Sequence, residues 1–137
     1  MSDAALPEPD RVEGAPHPRE TARLFGHADA EAVFLEAHAT GRLHHAWLLT
    51  GPKGVGKATL AWRIARFLLA QQEGQGDALF ATPPPLGTLD VAPDHPVARR
   101  VAALSDPGVF LLRRGGMGTS ERERDKAFAE GRFSQDI

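Results

Sequence analysis

Apolar side chains recur along this chain at two spacings, and the changes between them mark out its elements. Between Ala28 and Ala39 the interval is helical: Ala30, Val33, Phe34 and Ala37 share a face, while Glu31, Glu36 and His38 fall largely elsewhere. Gly41 stands where such a helix would stop. Ala46-Trp47-Leu48-Leu49-Thr50 is then a short, nearly continuous apolar run, the pattern of a strand buried on both faces of a parallel sheet. From Lys57 to about Gln71 the helical interval returns. Leu60, Ile64, Phe67 and Leu68 fall on one face, with Arg63 and Arg66 set off it.

Beyond that helix the pattern thins. Residues 72–95 are rich in Gly and Pro, including Thr82-Pro83-Pro84-Pro85, and predict a long loop without regular structure. A short helix is expected from Pro96, a residue favoured in a first helical turn, to Leu104. Ser105-Asp106-Pro107-Gly108 reads as a turn and Val109-Phe110-Leu111-Leu112 as a second buried strand. After Arg114 the pattern is lost, and Glu121–Glu130 mixes charges as a solvated helix or loop does. Residues 1–18, with prolines at 7, 9, 16 and 18, predict a disordered lead-in. The order is helix, strand, glycine loop, helix, long loop, short helix, strand. It predicts an α/β fold, a parallel sheet flanked by helices. Such a sheet normally has about five strands, so residues 19–137 read as the N-terminal part of a larger domain.

The loop between the first strand and the second long helix carries the chemistry. Gly51-Pro52-Lys53-Gly54-Val55-Gly56-Lys57 fits seven places of the phosphate-binding pattern G-x-x-x-x-G-K-[ST]. The glycines allow backbone N–H groups to approach an anion closely, and the following helix adds its positive end. Lys57 would reach the outer phosphates as a point charge. The competing reading is a glycine-rich strand-to-helix turn of no special function. The eighth place holds Ala58, whose methyl group cannot ligate Mg²⁺. Thr59 is turned about 100° further round the helix, so it is placed to touch an inner phosphate and not to replace the lost ligand. No acidic pair follows the second expected strand, which runs into Arg113 and Arg114. The candidate binding residues are therefore Gly51 to Thr59, with no catalytic residue and no metal ligand assigned.

Composition narrows the class. A net charge of −2 gives no global reason to expect nucleic acid or an anionic membrane as a partner. The absence of cysteine rules out disulfides and thiolate metal sites and fits a cytoplasmic protein. No apolar run is long enough to span a membrane, and the N-terminus has no secretory h-region. His44 and His45 are adjacent on an extended run and point to opposite faces, and the other four histidines are scattered, so no metal site is expected. Arg99-Arg100 and Arg113-Arg114 read as solvated or paired surface residues, with contact to DNA or a partner as the alternative. Trp47 and Trp62 read as packing residues.

Leu24-Phe25-Gly26-His27, Gly41-Arg42-Leu43-His44-His45-Ala46 and the glycine loop together resemble the N-terminal AAA+ domain of the bacterial DNA polymerase III clamp-loader family, in its delta-prime branch. The resemblance covers Arg19 to about Arg114. It implies an AAA+-like P-loop NTPase sheet, with Leu24–His27 near an adenine. It also implies work beside gamma/tau-type and delta subunits, and through them on the sliding clamp and primer-template DNA. Family members often carry a four-cysteine zinc module after the P-loop helix. The cysteine-free loop 72–95 departs from that, so no zinc is expected. Ala58 and the missing cysteines favour delta-prime over the gamma/tau type, which implies a non-motor subunit with weak ATP binding and little or no ATPase of its own. The competing classes are a small competent P-loop ATPase or kinase, and a phosphate- or nucleic-acid-binding module without nucleotide chemistry.

Overall fold

The computed structural model describes residues 8–74 and 87–135. Its regular structure there is helical: α1 (Ala28–Ala39), α2 (Lys57–Gly74), α3 (Pro96–Ala102) and α4 (Glu121–Ala129), with a 3-10 turn at Pro18–Glu20. The chain forms two compact units, Pro18–Val109 and the pair of segments Met1–His17 and Phe110–Ile137.

In the Pro18–Val109 unit, α1 and α2 meet through Phe34, Leu60 and Phe67, joined by Leu89. Leu24, Leu35, Leu49, Ile64, Leu68 and Val91 pack around these four. Phe34 stands edge-on to both Phe67 (ring centroids 6.4 Å) and Trp47 (5.2 Å), the arrangement that aromatic quadrupoles favour. Helix α1 ends as its sequence predicts. Gly41 takes φ 67°, and the N–H groups of Gly41 and Arg42 return to the carbonyls of His38 and Ala37. The buried face of α1 differs from the expected one. Val33 and Ala30 are exposed, while Phe34 is buried with Glu31, Leu35 and His38 partly covered beside it. Three consecutive apolar residues, Val33 to Leu35, left the stripe's centre ambiguous. Phe67, which contacts both Phe34 and His38, moves it one position along. Helix α3 is capped by the His95 ring, which accepts from the Val97 N–H at 3.2 Å. It stops short of Leu104, whose φ of 53° turns the chain out of the helix.

The expected parallel sheet is not formed. Among the described residues there is no strand, and the one strand-like pairing is an isolated antiparallel bridge between Gly116 and Phe133. Among the described residues the apolar run 46–50 has no backbone hydrogen-bonded neighbour. Trp47 and Leu49 lean on α1 and α2, while Leu48 between them is 87% exposed. Phe110 in the second run is 89% exposed. Both runs are continuously apolar, which is why they read as strands covered on two faces. Composition supplies no pairing partner, and the apolar surface that does become buried here is buried between helices.

The Gly/Pro-rich stretch divides into three. Residues 72–74 extend α2, residues 75–86 lie outside the described residues, and 87–95 run without helix or strand. This last part is no passive loop, because Leu89 is 1% exposed in the core. In the other unit, Glu8 pairs with Arg113 (3.2 Å), Arg114 donates to the Pro9 carbonyl (3.3 Å), and the buried His17 ring lies 2.8 Å from the Asp10 carboxylate. Of the expected lead-in, residues 8–17 therefore hold turns and ion pairs, and 1–7 lie outside the described residues. Helix α4 starts with a reciprocal cap: Ser120 Oγ accepts from the Glu123 N–H, and the Glu123 carboxylate accepts from the Ser120 N–H at 3.1 Å.

Candidate functional site

The glycine loop takes a conformation that its sequence alone permits. Gly51, Gly54 and Gly56 all have positive φ, at 146°, 83° and 100°, where L side chains are strained. Gly56 is further constrained by space, since a Cβ there would lie 2.6 Å from Leu24 Cδ1. The loop runs directly into α2, whose first hydrogen bond from the loop is Leu60 N–H to the Gly56 carbonyl at 2.9 Å. Among the described residues no carbonyl or side chain accepts the N–H groups of Gly54, Gly56, Lys57 or Ala58, so these donors face outward at the positive end of an 18-residue helix.

The Lys57 side chain folds back over the loop. Its ammonium donates to the Gly51 carbonyl at 2.7 Å and the Pro52 carbonyl at 2.6 Å. An open hollow of about 520 Å³ lies against it, lined by Gly51, Lys53, Gly54, Gly56, Lys57, Ala58 and Thr59 together with Pro18. The structure thus brings most of the expected site residues to one concavity. Pro52 and Val55 do not line it. Pro52 supplies a carbonyl to Lys57, and Val55 turns to the other side of the loop. No described residue lining the hollow is a carboxylate. Among the described residues, no cluster of three His, Cys, Asp or Glu side chains is placed to hold a metal ion.

Leu24 and His27 reach the same loop from its other side. His27 stands at the N-cap position of α1 without capping it; its Nε2 instead lies 2.5 Å from the Val55 carbonyl oxygen. A smaller recess of about 260 Å³, lined by His27, Ala30, Leu48, Leu49, Val55 and Leu60 among others, adjoins this contact. The sequence singled out Leu24–His27 only through resemblance. Pro18, which closes the rim of the hollow, was assigned to the lead-in.

Further along α2, Arg63 and Arg66 are not on a solvated face but are 6% and 7% exposed. Arg63 donates to the Glu31 carboxylate (3.0 Å), the Asp90 carboxylate (2.9 Å) and the Ala22 carbonyl (2.5 Å). Arg66 donates to the carbonyls of Arg19 (2.7 Å) and Thr21 (3.0 Å). Burial, and secondarily the Arg63 charge, pushes the Arg66 guanidinium below its usual range, though arginine stays protonated regardless. These forks tie residues 19–22, helix α1 and residue 90 to α2, and so hold the wall from which Leu24 approaches Gly56. Their signal in the sequence was their spacing. Positions three apart share a helix face, and Arg63 and Arg66 flank the apolar stripe on the side where Glu31 could meet them.

No protein-family model matches the chain, and no solved structure matches it. Among the described residues no helix is long and apolar enough to cross a membrane. The chain is 37% identical over 51 residues to the DNA polymerase III subunit gamma of Buchnera aphidicola subsp. Schizaphis graminum, a stretch covering 37% of this chain and 14% of that protein. It is 55% identical over 31 residues to the DNA polymerase III subunit gamma of Buchnera aphidicola subsp. Acyrthosiphon pisum, covering 23% of this chain and 9% of that protein. Both relatives are gamma subunits, so the similarity reaches DNA polymerase III without singling out the delta-prime branch.

Proposed function

We propose that this chain belongs to a clamp-loader subunit of bacterial DNA polymerase III, and that Gly51–Thr59 receives the phosphate chain of a nucleotide. One observation carries the reading. Three glycines at positive φ open a set of free N–H donors beside the Lys57 ammonium, at the head of a long helix. The partial similarity to gamma subunits supports the replication context.

The subunit is of the non-motor, delta-prime type, binding ATP weakly and hydrolysing little. What supports this is chemical: hydrolysis needs a metal held by a Ser or Thr hydroxyl after the loop lysine and by an acid nearby. Here the place after Lys57 is Ala58, and no described residue lining the hollow is a carboxylate. Its partners are gamma/tau-type and delta subunits, which act with it on the sliding clamp and primer-template DNA in the cytoplasm.

Titrating the chain with a fluorescent ATP analogue tests the phosphate role. Lys57→Met should abolish binding, and turnover should stay at background with or without Mg²⁺. Mixing the chain with purified gamma and delta subunits tests the partners, co-elution being the expected result. Rapid Mg²⁺-dependent hydrolysis would favour a competent P-loop ATPase, and the absence of any complex would remove the clamp-loader role.

A further inference from the structure

The charge of a polyphosphate has to be balanced by something, and among the described residues that line this hollow the cations are Lys53 and Lys57. Resting on the phosphate reading above, we propose that the loop takes a di- or triphosphate chain free of divalent metal, with Lys53 as the second cation in the metal's place.

Lys53 lines the hollow opposite no acid, and among the described residues it makes no hydrogen bond or ion pair. Its charge is therefore uncommitted. Lys57 is partly committed, but only to neutral groups. An ammonium has three donors, and two go to the Gly51 and Pro52 carbonyls. One donor and the whole charge remain for a ligand. These two bonds also fix where the ammonium sits, so it meets an incoming phosphate without searching.

A hydrated Mg²⁺ finds little in the same place. It takes oxygen ligands in near-octahedral geometry and is usually held by a carboxylate besides the phosphates. The hollow's lining includes Thr59, with its hydroxyl, and Gly51, whose carbonyl Lys57 already bonds, with a methyl group at Ala58 and no described carboxylate. Metal bound to the phosphate chain would lower its negative charge and compete with both lysines for its oxygens. Arg63 and Arg66, the neighbouring cations on α2, cannot substitute, because their donors are engaged with Glu31, Asp90 and three backbone carbonyls.

Calorimetric titration of the full chain with pyrophosphate and with ATP, each in EDTA and in millimolar Mg²⁺, tests this. Both ligands should bind in EDTA, and Mg²⁺ should weaken each several-fold. Lys53→Gln should weaken binding in EDTA by about three- to tenfold, the scale of one partly screened charge pair. Lys53→Arg should restore most of it, and the thermal midpoint should not move in either variant. Similar affinity for pyrophosphate and ATP would assign recognition to the phosphates, whereas ATP binding without pyrophosphate binding would overturn the proposal. Tighter binding in Mg²⁺, or an unaltered Lys53→Gln affinity in EDTA, would overturn it while leaving the phosphate site standing. No binding of either ligand under any condition would overturn both readings.

Discussion

Helix α2 carries cations at its head and along its middle, in opposite surroundings. At the head, Lys57 and, in the loop just before it, Lys53 face an open hollow with no acid among its described lining, and Lys57 is steadied by neutral carbonyls. In the middle, Arg63 and Arg66 are buried and their donors are taken by two carboxylates and three carbonyls. The residue types suit the two tasks. A guanidinium offers several donors in a fixed plane and can join three segments at once, whereas an ammonium is a compact charge that adapts to a ligand. Positive charge alone therefore does not mark a binding site. What marks one is positive charge left unanswered by the protein.

If that division is right, the largest effect on stability should come from the buried set. Arg63→Ala removes a buried guanidinium and strands the mostly buried Glu31, while water can take over at the exposed Asp90, so it should cost about 3 kcal/mol, as removing one member of a buried ion pair does. A urea unfolding curve measures it, and a loss under 1 kcal/mol would mean the forks are incidental. Next comes the backbone of the open end. Gly56→Ala forces a side chain into positive φ and against Leu24, at a cost of about 1–3 kcal/mol. Gly54→Ala, where a Cβ meets open space, should sit at the low end of that range, and the same unfolding curves rank the two. Lys57→Met should leave stability within about 0.5 kcal/mol, as exposed substitutions usually do, while removing phosphate binding in a titration.

Another small effect lies at the edge of the buried set. Asp90 is 72% exposed on its side chain, and exposed pairs contribute about 0–1 kcal/mol. Asp90→Asn should therefore cost less than Arg63→Ala by a wide margin. The hydrogen bond from Arg63 holds the Asp90 carboxyl below its usual range. A folded value lower than the unfolded one means a contribution fully present above about pH 3.9 and lost as pH falls through the folded value. Urea midpoints of wild type and Asp90→Asn should differ at pH 7 and converge as the pH falls through the folded value.

The sequence disclosed the helices and the loop well and the rest poorly, for identifiable reasons. Helices α1 and α2 are local objects: their interval, Gly41 and the glycine loop lie within the segments that form them. The sheet was not local. Ala46–Thr50 and Val109–Leu112 have strand composition, but a strand exists only with a neighbour, and neither run has one among the described residues. Arg63 and Arg66 read only as lying off the apolar face, which says nothing of what they bind. Their acceptors include carbonyls of residues 19–22, where no element was expected, and Asp90, in the expected loop. Leu89 shows the same blind spot, being the core residue inside a segment dismissed by its glycines and prolines. At the candidate site, the motif named the residues, and the structure added the engagement of Lys57 and the freedom of Lys53.

The reach of those arginine forks also has a meaning in time. Helix α4 is capped by contacts three and four residues apart, and such turns form within about a microsecond. Arg63 and Arg66 instead bond to groups 27 to 47 residues away in the chain, so several loops must close before any of these bonds exists. If these bonds form only after the rate-limiting step, a change at Arg63 leaves the refolding arm of a chevron nearly unmoved and speeds escape from the native state. A slowed refolding arm would instead place them in the transition state. In the first case the guanidinium acts as a latch on a finished structure.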